Sequence, residues 1–213
     1  KFAKRMLDIT VALVGLMLMA IPMLVIALLI KLESPGPVFY VHHRIGKDGR
    51  HLPLYKFRSM VTNAAELMAA FTPEQKAEWE ANFKLENDPR ITRIGKFLRR
   101  SSLDELPQLV NIIMGDMSII GPRPALWNQE DLIAERDKYG ANDVRPGLTG
   151  WAQINGRDEL PIDVKARLDG EYVEKLSFAF DCKCFFGTIT SVLKAEGVVE
   201  GGTGQLEKEK KDQ

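Results

Sequence analysis

Residues 98–109 read LRRSSLDELPQL, with two adjacent carboxylates, Asp104 and Glu105, after two arginines and two serines and just before a proline. Local rules make both acids helix caps. Ser102 with Glu105 three positions on matches a capping box, Asp104 can itself cap a helix beginning at Glu105, and Pro107 belongs in a first turn where its missing N–H is not required. The chemical alternative is that a helix start aims one carboxylate while the arginines keep it ionised, as a nucleophile in phosphoryl transfer requires. Position alone leaves both readings open.

Other segments bear on which chemistry is at stake. Three loops punctuated by Gly and Pro each hold an arginine: GPRP (121–124), RPGLTGW (145–151) and NGR (155–157). An arginine on a stiff backbone loses little entropy on forking onto phosphate oxygens, although for any single loop a structural salt bridge is the better explanation. The segment NDPRITRIGKFLRR sets Arg90, Arg93, Lys96, Arg99 and Arg100 mostly opposite Ile91, Ile94, Phe97 and Leu98. That pattern suits anionic headgroups or phosphates, or simply a solvated face over a core stripe.

The dominant element is the run at residues 9–30, 22 residues without a charge. As a helix it rises about 33 Å against about 30 Å of hydrocarbon, so it is long enough to span. It is too long for a removable signal, and no small-residue cleavage site follows. Pro22 predicts a bend inside it. The flanks are basic on both sides, with Lys1, Lys4 and Arg5 before and Lys31, Arg44, Lys47 and Arg50 after. The positive-inside rule puts both ends on the cytoplasmic side, which a re-entrant helix bent at Pro22 satisfies, and a kinked spanning helix is the alternative that the sequence alone leaves open.

After the run, alternation over 38–43 and 52–60 around GKDG predicts a β-hairpin. It carries all three histidines, but His42 and His43 point to opposite faces and no Cys or acid accompanies them, which argues against a metal site. Residues 61–86 read as a polar, helical, lid-like insertion with Thr72 as N-cap and Pro73 at the first position. LSFAFDCKCFFGTITSVLK near the C-terminus is a second amphipathic, Phe-rich helix, and Cys182 and Cys184 within it diverge too far for a mutual disulfide. Lys+Arg and Asp+Glu both number 29, so no basic field points to nucleic acid. No internal repeat is present.

Taken together, KRMLDI, SPGPVFY, YKFRSM, DPRITRIGKFLRRSSLDELPQLVNIIMGDMSIIGPRP, RPGLTGWAQINGR and LDGEYV resemble the monotopic phosphoglycosyl transferases over nearly all of residues 4–195. These are bacterial sugar transferases that begin polysaccharide and glycoconjugate assembly on a polyprenol phosphate. The resemblance implies transfer of a sugar 1-phosphate from a UDP-sugar to undecaprenyl phosphate with release of UMP. Asp104 would be the nucleophile that forms an aspartyl phosphosugar, Glu105 its assistant, and Mg²⁺ would sit at the Asp104–Glu105 dyad. Arg123 matches the family's phosphate-binding arginine, and Lys4, Lys56, Arg99, Arg145, Arg157, Asp169 and Asp181 match motif positions assigned here to substrate binding.

The implied fold is α+β, mostly helical with a small β-hairpin: a re-entrant membrane helix (1–32), a catalytic domain with interfacial amphipathic helices (33–198) and a flexible tail (199–213). It would sit on the cytoplasmic face of the bacterial inner membrane, in contact with membrane lipid, and a homodimer is compatible with it. Two departures stand out. Ile21 precedes the proline where Ser is common, and His42 and His43 replace a Gln and a charged residue. The sugar is not named by these residues: glucose, galactose and N-acetylated sugars all fit, with UDP-galactose or UDP-glucose preferred. A membrane-anchored glycosyltransferase that releases UDP and a non-catalytic scaffold are the competing readings.

Overall fold

The computed structural model describes residues 2–82, 85, 87–156 and 160–194. The apolar run forms a single helix, α1 (Phe2–Glu33), which continues through Pro22 rather than dividing there. Four charged residues tie its two ends to the remainder of the chain. Lys4 pairs with Asp181 at 2.7 Å. Arg5 donates to the carbonyls of Ile112 and Ile113 at 2.6 and 3.0 Å, the favourable place for a cation at a helix C-terminus. Asp8, buried, accepts from the Ser118 hydroxyl and from the Ile119 N–H. At the far end, the Glu33 carboxylate accepts from the N–H groups of Arg93 and Ile94, capping another helix.

Between those anchors, one side of α1 joins two separate cores. Ala12 packs with Leu52, Leu54, Leu109, Ile112 and Met117, and Ile26 and Ile30 pack with Phe57 and Leu98. The other side is apolar and uncovered, with Met17, Leu18, Ile21 and Leu24 between 69% and 76% exposed. Among the described residues α1 is the one helix long and apolar enough to cross a membrane.

The expected hairpin forms, with β1 (Phe39–Ile45) antiparallel to β2 (His51–Phe57) and Asp48 at φ 56° in the turn. The sheet is larger than expected. The short strand β4 (Ala125–Leu126) adds to β1, giving the order β2-β1-β4, while β3 (Ser118–Ile120) pairs in parallel with β5 (Gly147–Thr149). These extra strands are only two or three residues long, too short for alternation to reveal them.

The insertion contains α2 (Ala64–Ala69) and α3 (Pro73–Asn82). Thr72 caps α3 as expected, its hydroxyl accepting from the Gln75 N–H while the Gln75 side chain accepts from Thr72 N–H. The neck is closed by a bridge between Met60 and Ile91, and Arg90 forks onto Asp88 between the faces of Phe71 and Trp79. The basic segment becomes α4 (Arg93–Ser101), capped by Thr92. It leads into α5 (Gln108–Met114), followed by α6 (Glu130–Asp137), α7 (Trp151–Ile154), α8 (Ile162–Glu174) and α9 (Phe178–Lys194). On α9, Cys184 is buried while Phe178 and Phe186 are exposed, so the two faces of the Phe-rich segment separate as its pattern predicts. The proposed tail lies outside the described residues.

Asp8 supplies the acceptor for the buried Ser118 hydroxyl and the part-buried Ile119 N–H, so Asp8→Ala strands both. We expect a loss of about 2–3 kcal/mol in stability, with Asp8→Asn losing less because it retains one acceptor. Thermal unfolding in detergent micelles checks this, and an unchanged midpoint for Asp8→Ala would refute the anchoring role.

Candidate active site

The turn that carries the two acids is set by a left-handed residue. Helix α4 ends at Ser102, whose φ of 56° and ψ of 18° reverse the chain while its N–H bonds to the carbonyl of Arg99. A 3₁₀ turn at Leu103–Glu105 follows, and the backbone runs on through Leu106 and Pro107, both helical, into α5. The capping box expected between Ser102 and Glu105 does not form: the Ser102 side chain makes no capping bond, and Glu105 N–H reaches the Ser102 carbonyl instead. Asp104 lies within the turn rather than at a helix start.

The physical reason is that distant cations claim the Glu105 carboxylate. Lys56, from β2, donates to Oε1 of Glu105 at 3.0 Å, and Arg123 donates to the same oxygen at 2.8 Å and to Oε2 at 3.4 Å. The Lys56 ammonium also lies 3.6 Å from Oδ2 of Asp104. Both acids are buried, Asp104 at 4% and Glu105 at 9% exposure. Burial alone would raise the Glu105 carboxyl, but Arg123 and then Lys56 outweigh it and hold it well below the usual carboxylate range. A carboxylate depressed in this way adds stability above its unfolded pKa of about 4.3, and that contribution is lost as pH falls below it. Its two cations therefore favour the ionised form of Glu105.

Arg123 is presented from a backbone with no slack. The carbonyl of Pro122 accepts from Gly147 N–H at 2.8 Å, that of Arg123 from the Arg136 guanidinium at 2.9 Å, and that of Pro124 from Arg44 at 3.4 Å. The loop approaches the β5 segment so closely that a Cβ at Gly147 would sit 2.1 Å from the Gly121 nitrogen, and one at Gly150 2.1 Å from its oxygen. Only glycine permits that approach, which explains why GPRP and RPGLTGW punctuate the chain as they do. Arg136 is in turn held by Asp169, which is 1% exposed, with Nε and one terminal nitrogen 2.8 and 2.6 Å from the same oxygen. Burial raises the Asp169 carboxyl, with Arg136 and then Lys165 opposing it.

The residues expected to act on substrate thus separate into groups. Asp104, Glu105, Lys56 and Arg123 meet in one cluster. Asp169 lies behind that cluster, supporting the Arg123 loop through Arg136. Lys4 and Asp181 pair with each other, and the buried Tyr172 hydroxyl lies 2.8 Å from Asp181 and 2.9 Å from the carbonyl of Ile120. Burial, and then the Asp181 charge, raise the Tyr172 hydroxyl far above the ordinary phenol range, so it remains a donor. Arg99 bonds to the Ser59 hydroxyl, and Arg145 donates to the carbonyl of Gly115 at the end of α5. Arg157 lies outside the described residues.

Arg136 and Asp8 were not singled out from the sequence. Arg136 carried a signal, because it follows Leu132 by one helical turn and so places a charge on an apolar stripe. Asp8, the last charge before the apolar run, carried none that distinguishes it from a flank.

The dyad offers carboxylate oxygens of the kind Mg²⁺ takes, one or two from protein with substrate phosphates supplying more. Oε1 of Glu105 is committed to Lys56 and Arg123, so Asp104 and the more weakly held Oε2 are the oxygens that fit this role. Among the described residues no three His, Cys, Asp or Glu side chains gather at one point, the dyad included.

Comparison with known proteins closes the assignment. A family model described as bacterial sugar transferase matches residues 1–195. The chain is 38% identical over 200 residues to the undecaprenyl-phosphate galactose phosphotransferase of Salmonella typhimurium, covering 92% of this chain and 42% of that one. It is 40% identical over 198 residues to the exopolysaccharide production protein ExoY of Rhizobium meliloti, covering 92% and 87%. It is 40% identical over 196 residues to the UDP-glucose:undecaprenyl-phosphate glucose-1-phosphate transferase of Escherichia coli K12, covering 89% and 40%. The chain therefore spans about two-fifths of the first and third relatives and most of the second. With the family model covering every described residue, this chain belongs to the bacterial sugar transferases.

Proposed function

We propose that this chain transfers a sugar 1-phosphate from a UDP-sugar to undecaprenyl phosphate and releases UMP, using Asp104 as a covalent nucleophile. The observation that carries this reading is the gathering of two adjacent buried acids with two cations. Lys56 and Arg123 bond to Glu105, and the Lys56 ammonium lies 3.6 Å from Asp104. An anionic Glu105 fixes Lys56 and Arg123 beside Asp104, where the charge of a diphosphate would be received.

In the first step an oxygen of Asp104 forms a bond to the phosphorus that bears the sugar. The bond from that phosphorus to the bridging oxygen breaks, and UMP leaves with the electron pair. In the second step an oxygen of undecaprenyl phosphate attacks the same phosphorus and the aspartyl oxygen leaves, which restores the carboxylate. Glu105 holds the cations and Arg123 and Lys56 receive phosphate oxygens. Mg²⁺, when bound, would neutralise diphosphate charge at the dyad. The names of the relatives, which refer to galactose and glucose phosphotransfer onto undecaprenyl phosphate, support the donor and acceptor classes and make UDP-galactose and UDP-glucose the first donors to test.

The seating of α1 supports a monotopic arrangement on the cytoplasmic face. Its first turns are bound to Asp181, Ile112 and Ser118, and its last turn caps α4 on the same body. A 32-residue helix is about 48 Å long. To carry its ends to opposite sides of about 30 Å of hydrocarbon, it would have to draw a polar domain in with it. With both ends held, the exposed apolar side at Met17, Leu18, Ile21 and Leu24 is left to enter one leaflet.

Two outcomes are expected. Purified protein with undecaprenyl phosphate and a panel of UDP-sugars releases UMP, and Asp104→Asn lowers the rate by at least about 10³-fold. Release of UDP instead would favour a glycosyltransferase, and retained activity in Asp104→Asn would remove the nucleophile. Separately, in a Cys182→Ser background, Phe2→Cys and Leu32→Cys both react with a membrane-impermeant thiol reagent only from the cytoplasmic side. Labelling of either from the periplasm would overturn the monotopic arrangement.

A further inference from the structure

Gln108 is 2% exposed, and its side-chain nitrogen is buried with no hydrogen-bond partner among the described residues. A buried donor left unpaired costs about 1–3 kcal/mol, and an apolar side chain of the same length would fill the position without that cost.

Its location is fixed from both sides. The backbone from Leu103 to Met114 is helical throughout, first as a 3₁₀ turn and then as α5. Gln108 follows Glu105 by three residues and Asp104 by four, and Asn111 follows Gln108 by three, so all four share a face. That face lies along β2. At one end Lys56 bonds to Glu105, and at the other the Asn111 amide accepts from Tyr55 N–H at 3.1 Å and donates to the Pro53 carbonyl at 2.8 Å. Both neighbours on the face are therefore satisfied by β2. Gln108 stands between them, one turn from the dyad, with its donor unmet.

We propose that the Gln108 amide donates a hydrogen bond to an oxygen of the phosphoryl group transferred to and from Asp104. A phosphoryl group in transfer spreads its charge over three equatorial oxygens. Lys56 and Arg123 supply cationic donors, and both already serve Glu105. Gln108 adds a neutral donor that neutralises neither carboxylate. This role rests on the proposed phosphoryl transfer to Asp104.

The test compares wild type, Gln108→Met and Gln108→Glu by UMP release with UDP-galactose or UDP-glucose, whichever wild type uses, and undecaprenyl phosphate in detergent micelles. Met keeps the length and removes the donor. We expect kcat to fall by about 10- to 100-fold, as for loss of one donor to developing charge, with KM for the UDP-sugar nearly unchanged and a thermal midpoint at or above that of wild type. Glu restores a donor only when protonated, so the ratio of its kcat to that of wild type should rise as pH falls from about 8 to about 5.5. That ratio keeps the proposal testable where Gln108→Met fails to fold, because a flat ratio overturns it. A Gln108→Met enzyme with wild-type kcat, or a Gln108→Glu ratio that is flat with pH, overturns the role of Gln108 alone. A wild type that releases no UMP with either sugar overturns the reaction and this role together.

Discussion

The charge on Glu105 is the constraint on which the site depends. Removing a carboxylate from water costs several kcal/mol, and here it is offset by two cations from separate parts of the chain, Lys56 on β2 and Arg123 on the loop before β4. That arrangement ties the hairpin, the dyad turn and the GPRP loop to a single carboxylate. It also places Asp104 in the same cation cluster, with the Lys56 ammonium 3.6 Å from its carboxylate.

The supports behind this hub run outward in layers. Arg123 is held through its own carbonyl by Arg136, and Arg136 by the fully buried Asp169. Breaking that outer ion pair would leave an uncompensated buried charge and free the loop at the same time, so Asp169 controls how Arg123 is presented without touching it. The close approach of Gly121, Gly147 and Gly150 serves the same purpose by steric means. At the membrane side, Asp8 and Arg5 couple α1 to Ser118 and to the end of α5, so the apolar helix and the helix that follows the dyad are one mechanical unit.

Features determined by neighbours in sequence were legible in it. The hairpin follows from alternation around GKDG, and the Thr72 cap from an oxygen three residues before the N–H it accepts. The capping box at Ser102 was misread because the same local rule cannot see Lys56, 49 residues away, whose ammonium competes for Glu105 far better than a backbone N–H does. Arg123 was visible as an arginine between prolines, but the pairing of Asp169 with Arg136 depends on α6 packing against α8, a contact no local pattern encodes. Pro22 lies inside α1, which is one helix from Phe2 to Glu33, since a proline costs a helix one hydrogen bond and that loss alone need not end it.

The central claim is that the two acids differ in kind, Asp104 reacting and Glu105 holding the cations. Peptide mass spectrometry of protein mixed with a UDP-sugar in the absence of undecaprenyl phosphate tests it most directly. The account predicts a hexose phosphate adduct on the peptide containing residues 101–108, localised to Asp104, and abolished in Asp104→Asn. An adduct on Glu105, or steady UMP release with no protein-bound phosphosugar at any time, would contradict it.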